Sequence, residues 1–233
     1  MIMSKPSLDL VKSIVGAGLF SEEQVKESGE ATTAPLIAVS RTLGANGTII
    51  AQKLAEKLHV PYYDQGLIDR VLEEADQDKL LMQRIDERAT NFMDDFIYSI
   101  FSDKQSPKDA YFQALVKVLI NISRNGGVVV GRGSHMLLPE KRTFRLRLEC
   151  GRSHAIKRIA SREGISESEA AKKIETVNAQ RAKFIAKMPR RFPSLESEYD
   201  LVLHTDHFHD DDATVEAIIC MMKAGNYATS MPR

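Results

Sequence analysis

The chain has 233 residues, of which 43% are hydrophobic and 27% charged. That is enough for one sizeable core, and it excludes fibrous and low-complexity classes. Lys plus Arg and Asp plus Glu each total 32, so the overall charge calls for neither a nucleic-acid nor a membrane partner. No apolar run approaches the roughly 20 residues that span a bilayer, and the start, Met1 to Pro6, lacks the apolar core of a signal peptide. The expectation is a cytoplasmic protein. Cys150 and Cys220 have neither paired nor metal-ligand spacing, and each sits beside apolar residues, so both are expected as buried free thiols.

Residues 1–33 read as an N-terminal helical appendage. Leu8, Leu10, Val11, Ile14 and Val15 suggest a short helix that Gly16-Ala17-Gly18 ends, and Ser21 is placed to cap a second. A polar linker over 28–33 leads to the main domain, 34–233, and the appendage suits regulation or homodimer formation. The main domain alternates short apolar strands with helices. Strands are expected at Leu36–Ser40, Val60–Tyr63, Val128–Val130, Phe144–Leu148 and Leu201–His204. Helices are expected from Thr48 to Leu58, within 67–124 with breaks near Thr90 and Ser106, over Ser153–Glu163 and Ser166–Met188, and over Thr214–Lys223. This alternation implies a parallel sheet covered on both faces, with ligands bound beyond the strands' carboxyl ends. The turns after Ser40, Tyr63, Val130 and Leu203 should therefore share one crevice.

Four stretches bear on chemistry. The first is Ser40 to Ile50, a strand, a glycine-bearing turn and a helix, an order that converges backbone N–H groups on an anion. It departs from the phosphate-binding pattern G-x-x-x-x-G-K-[ST]: with Thr48 on the last position, Gly47 stands where lysine is expected, and Asn46 and Arg41 where the glycines are. Arg41 can supply the positive charge that the missing lysine does not, and Thr48 can cap the helix or hold magnesium on its hydroxyl. The second is Tyr62-Tyr63-Asp64, followed by Asp69 and Arg70. Asp64 either caps the next helix or binds a substrate hydroxyl, amine or hydrated metal. The third is Gly131-Arg132-Gly133-Ser134-His135, where Arg132 can fork onto a phosphate and His135 is expected to pack.

The fourth is a basic stretch. Lys141 to Arg191 holds 15 basic and 5 acidic residues, against 17 and 27 in the rest of the chain. Solvated helix faces explain such a run, and so does a polyanionic ligand held by a mobile helical pair carrying Arg158 and Arg162, then Arg181. The His204–Asp212 run has no zinc or calcium spacing and reads as a post-strand loop with acids at a helix N-terminus.

In order and spacing the chain resembles the cytidylate kinase-like family of P-loop nucleoside monophosphate kinases. The matching residues are Ile37 to Arg41 with Gly44 to Ile50, then Pro61-Tyr62-Tyr63-Asp64, Val130-Gly131-Arg132-Gly133, and Tyr199-Asp200-Leu201-Val202-Leu203, over roughly 35–222. The resemblance implies a three-layer α/β P-loop NTPase fold with a parallel sheet and a helical lid, with ATP as donor, magnesium, and a small acceptor such as CMP. It puts the donor phosphates on Gly44, Ala45, Asn46, Gly47 and Thr48 with Arg41. The acceptor falls near Asp64, Arg70, Arg132 and Arg181, and the lid at Arg152–Arg162, where Arg158 and Arg162 join Arg132 as the catalytic arginines. Asn178 stands where the family pattern favours Asp, His204 where it favours Asn or Asp, and no Asp follows Val130. These departures keep open a second reading, a nucleotide-binding sensor without efficient catalysis.

Overall fold

The computed structural model describes residues 34–77, 107–138, 142–188 and 199–227. The expected appendage, the helix breaks near Thr90 and Ser106, and Arg190-Arg191 lie outside the described residues.

The sheet has five parallel strands in the order β2-β3-β1-β4-β5. They are β1 (Leu36–Arg41), β2 (Tyr62–Tyr63), β3 (Gly127–Val130), β4 (Thr143–Glu149) and β5 (Leu201–His204). β1 is the central strand, with Val39 in register with Val130 on one side and Leu146 on the other. Its residues alternate between two helical layers, as a strand's period of two requires. Leu36 and Ala38 join the core built with α2 (Gln65–Gln77), α3 (Pro107–Asn125) and the short α4 (Ser134–Leu137). Ile37 and Val39 join the core built with α1 (Gly47–Leu58) and α7 (Asp211–Ala224). Burial on both faces is why the central strands read as unbroken apolar runs.

Helix boundaries follow local chemistry. α1 turns Ile50, Ala51, Leu54, Ala55 and Leu58 inward. Its cap position is Asn46 in the left-handed region, with no side-chain cap bond, so Thr48 lies inside the first turn and does not cap. Asp64 does cap α2, its Oδ1 accepting Leu67 N–H at 2.7 Å. α5 (Arg152–Glu163) and α6 (Glu167–Ala186) form a hairpin turned at Gly164. A reciprocal Ser166–Glu169 capping box starts α6. The hairpin has its own small core of Ala155, Ile159, Ala170 and Ile174, against which Leu43 packs. Asp210 caps α7 through Asp212 N–H and Ala213 N–H, as the acids of that run foreshadow.

β5 is an edge strand with alternating burial, and Val202 stays 48% exposed. Its start is pinned by Asp200, which accepts from the backbone N–H and the guanidinium of buried Arg145. Both cysteines are less buried than expected. Cys150 is half-buried, but Cys220 is exposed, because Val215, Ile218, Ile219 and Met222 form the inward stripe of α7. Among the described residues no helix is long and apolar enough to cross a membrane.

Candidate functional site

Because all five strands run one way, their carboxyl ends bring Arg41, Asp64, Gly131-Arg132, Glu149 and Thr205 to the same edge of the sheet. The turn from Thr42 to Asn46 is tethered there. Thr42 N–H donates to Leu148 O at 3.0 Å, Leu43 N–H to Asn178 Oδ1 at 2.9 Å and Ala45 N–H to Thr42 O at 3.4 Å. Among the described residues, the N–H groups of Gly44, Asn46, Gly47 and Thr48 make no hydrogen bond. Those unengaged donors at a helix start, next to a left-handed residue, form an anion-binding nest.

Arg41 explains the glycine at 47. A Cβ built on Gly47 would lie 2.6 Å from Arg41 Cβ and 2.8 Å from its Cγ. One built on Gly131 would lie 2.7 Å from Arg41 Nη1. The Arg41 stem therefore passes over Gly47 and its guanidinium over Gly131, so the cation reaches from the first turn to the loop after β3. No lysine fits at 47 while Arg41 holds this course. Burial pulls the Arg41 pKa down, Tyr62 and Asp64 raise it, and Arg132 lowers it; a guanidinium so placed stays charged. Its Nε is buried without a hydrogen-bond partner, and so is the hydroxyl of the nearby Tyr62, pushed up to about 12 chiefly by burial.

Arg181 on α6 joins this cation, its Nη1 donating to Arg41 O at 3.1 Å. Burial, then Arg41 and Arg147, push Arg181 down to about 10, which leaves it protonated at neutral pH. Among the described residues neither Arg41 nor Arg181 has an ion-pair partner. Two half-buried cations without an ion-pair partner among the described residues lie beside a nest of free N–H groups, an arrangement that can receive a polyanion.

The other arginines are engaged. Arg158, expected on a lid, here donates to Gly44 O at 3.2 Å and to Thr205 Oγ1 at 3.0 Å, and also to Thr205 O. Thr205 in turn donates to Ala45 O and Glu149 O. Ala155 abuts Gly44 so closely that a Cβ there would sit 2.5 Å from the alanine Cβ, and Gly44 has φ +96. The hairpin is thus fastened to the loop through Arg158. Arg162, one turn on, is exposed and makes no hydrogen bond or ion pair among the described residues.

Arg132, left-handed at φ 49, already spends its fork on Asp69: Nε donates to Oδ1 at 2.7 Å, and Nη2 pairs with Oδ2. The guanidinium lies 4.7 Å from the Phe184 ring centroid. Arg70 is half-buried, its Nε without a partner. Asp64 keeps one carboxylate oxygen beyond its cap bond.

His135 packs, as expected, stacking on Tyr199 at 4.9 Å between ring centroids. Burial, with Arg147 and Arg145 adding, pushes it down to about 4, so it is neutral. Past β5, Asp206 accepts from Gly151 N–H at 2.7 Å and draws in Cys150 and His154. No group of three His, Cys, Asp or Glu side chains among the described residues is arranged to hold a metal ion.

Reading the sequence missed Arg147, which donates to Ser40 Oγ at 2.7 Å and pairs with Glu149, and it gave no role to Asn178 or Thr205. The Phe144-Arg145-Leu146-Arg147-Leu148 alternation was the available signal for two inward arginines on one strand face.

A sequence model of the cytidylate kinase-like family matches residues 36–207. Nothing among curated proteins matches the chain. Among solved structures, an uncharacterised protein from Eubacterium ventriosum is 17% identical, with a TM-score of 0.59 over 82% of this chain and 99% of its own. A shikimate kinase from Bacteroides thetaiotaomicron is 16% identical, with a TM-score of 0.45 over 81% of this chain and 98% of its own. The first likeness shows the fold; the second superposes too loosely to add to it.

Proposed function

The chain belongs to the cytidylate kinase-like family, and on that premise we propose that it transfers the γ-phosphoryl group of ATP to a small acceptor, most simply a pyrimidine nucleoside monophosphate such as CMP. The observation that carries this reading is the nest of unengaged N–H groups from Gly44 to Thr48 with two unpaired cations, Arg41 and Arg181, beside it. The family match supports phosphoryl transfer in general and names no acceptor.

In this reading the N–H groups of Gly44, Asn46, Gly47 and Thr48 hold the donor phosphates, with Ala45 shaping the turn between them. Arg41 takes the part of the absent lysine. Its guanidinium lies over Gly131, toward the acceptor, so it neutralises charge between the two substrates. Arg158 acts at one remove by fixing Gly44 and Thr205. The acceptor lies against Asp64, Arg70 and Arg132. Arg132 must divide its fork with Asp69 or leave it when a phosphate arrives. Among the described residues the loop offers magnesium the exposed Thr48 hydroxyl, and the turn Gly131-Arg132-Gly133 after β3 carries no carboxylate. That donor set fits an ion that arrives on the nucleotide and keeps most of its waters. Bound with the nucleotide, magnesium supplies charge neutralisation on the phosphates.

A second reading, a nucleotide sensor with little turnover, is favoured by the engagement of Arg132 with Asp69 and of Arg158 with the loop backbone. One experiment separates the two. ADP release is followed with ATP and magnesium, with and without CMP and the other nucleoside monophosphates. Release that depends on an acceptor supports the kinase. ATP binding with no acceptor-dependent release refutes it in favour of the sensor.

A further inference from the structure

Two residues of α6, one turn apart, grip the loop in different ways. Asn178 accepts Leu43 N–H, so its amide oxygen faces the loop. Arg181 donates to Arg41 O. Residues at i and i+3 are neighbours on one helix face, so a carboxylate at 178 would pair with the Arg181 guanidinium. The neutral amide makes the same backbone contact without that charge. We infer that Asn178 is a positioning residue of the donor site: it fixes the loop at Leu43 while leaving the Arg181 cation to the terminal phosphates of a bound nucleotide. This rests on the donor-site reading above.

The pattern of charges around the site agrees. Arg132 pairs with Asp69, Arg147 with Glu149 and Arg145 with Asp200, whereas the half-buried Arg181 has no such partner among the described residues. The cost of partly desolvating a cation without a partner is met when an anionic ligand arrives. An acidic side chain at 178 would remove that demand in advance.

The test compares N178D and N178A with wild type. Affinities for ATP, ADP and AMP are measured by calorimetry, and Leu43 amide protection by hydrogen exchange. N178D keeps an acceptor for Leu43 N–H, so protection is expected to persist while ATP binding weakens about tenfold, the magnitude of one partly buried charge interaction. The loss should be larger for ATP than for AMP. N178A is expected to lose protection and to weaken all three nucleotides alike. In an R181Q background N178D should change ATP affinity less than twofold, because both act through one cation. Unaltered ATP affinity in N178D, or a full loss that persists in R181Q, overturns the inference alone. No binding of any nucleotide by wild type, with Leu43 protected, overturns the donor-site reading and this inference with it.

Discussion

Restoring the lysine of the common phosphate loop should harm this protein. In Gly47→Lys the new Cβ meets Arg41 Cβ at 2.6 Å and Cγ at 2.8 Å, where carbon atoms normally stop at about 3.5–4.0 Å. No rotamer change of Arg41 relieves the contact, because the nearest atom is its Cβ, fixed to strand β1. Overpacking of this kind costs about 1–3 kcal/mol. Near the middle of that range the melting temperature falls by about 4–8 °C for a domain of this size. ATP affinity should fall too, since Arg41 is displaced from its course. Removing the obstacle reverses the effect: Arg41→Gly, which deletes both the Cβ and the Cγ that the new side chain meets, with Gly47→Lys is expected to melt above Gly47→Lys alone and to regain part of the ATP affinity, the lysine now standing in for the arginine. Thermal unfolding and ATP calorimetry on the four variants of this cycle read both quantities. A Gly47→Lys protein as stable as wild type and at least as tight for ATP, or strictly additive effects in the double variant, would refute the mutual exclusion of the two side chains.

Two further outcomes follow from buried groups. Asp200→Ala takes the carboxylate from the Arg145 guanidinium, whose side chain is 7% exposed, and frees the start of edge strand β5. The expected destabilisation is about 3–5 kcal/mol by urea unfolding, as for other broken buried pairs, and a loss below 1 kcal/mol would contradict the pairing. His135 titrates near 4 when folded against about 6.5 when unfolded. Between those values the unfolded chain binds more protons, so stability is full above about pH 6.5 and declines as pH falls toward 4, by up to about 3 kcal/mol. His135→Phe keeps a ring against Tyr199 and should flatten that part of the stability profile; an unchanged slope would assign it to other groups.

Much of the frame was legible in the chain. β5 lies where the apolar run places it, β1 and β3 are longer by a residue at one end, β4 by one at each end, β2 starts two residues later than expected, and the parallel order followed from the alternation of elements. The capping acids at Asp64 and Asp210 and the packing of His135 follow from residue type and position. The site was legible only in outline, because its decisive contacts join residues far apart in sequence. Nothing local says that Asp69 takes the fork of Arg132, 63 residues on, or that Arg158 turns back to Gly44 across 114 residues. The glycine at 47 looked like a missing lysine; only the path of Arg41 over Gly47 and Gly131 makes it a requirement of packing. Thr48 as a cap failed because Asn46 adopts the left-handed cap position ahead of it. The exposure of Cys220 could have been read from the Val215, Ile218, Ile219, Met222 stripe, which leaves position 220 on the outer face.

The claim at the centre of this account is that Arg41 replaces the lysine of the phosphate loop. Calorimetric titration of wild type and Arg41→Ala with ATP, in magnesium and at fixed salt, tests it most directly. The account predicts saturable binding by wild type and a loss of at least about tenfold in Arg41→Ala, as for removal of one cation from a partly buried phosphate site. Equal affinities in the two proteins, with both folded, would contradict it.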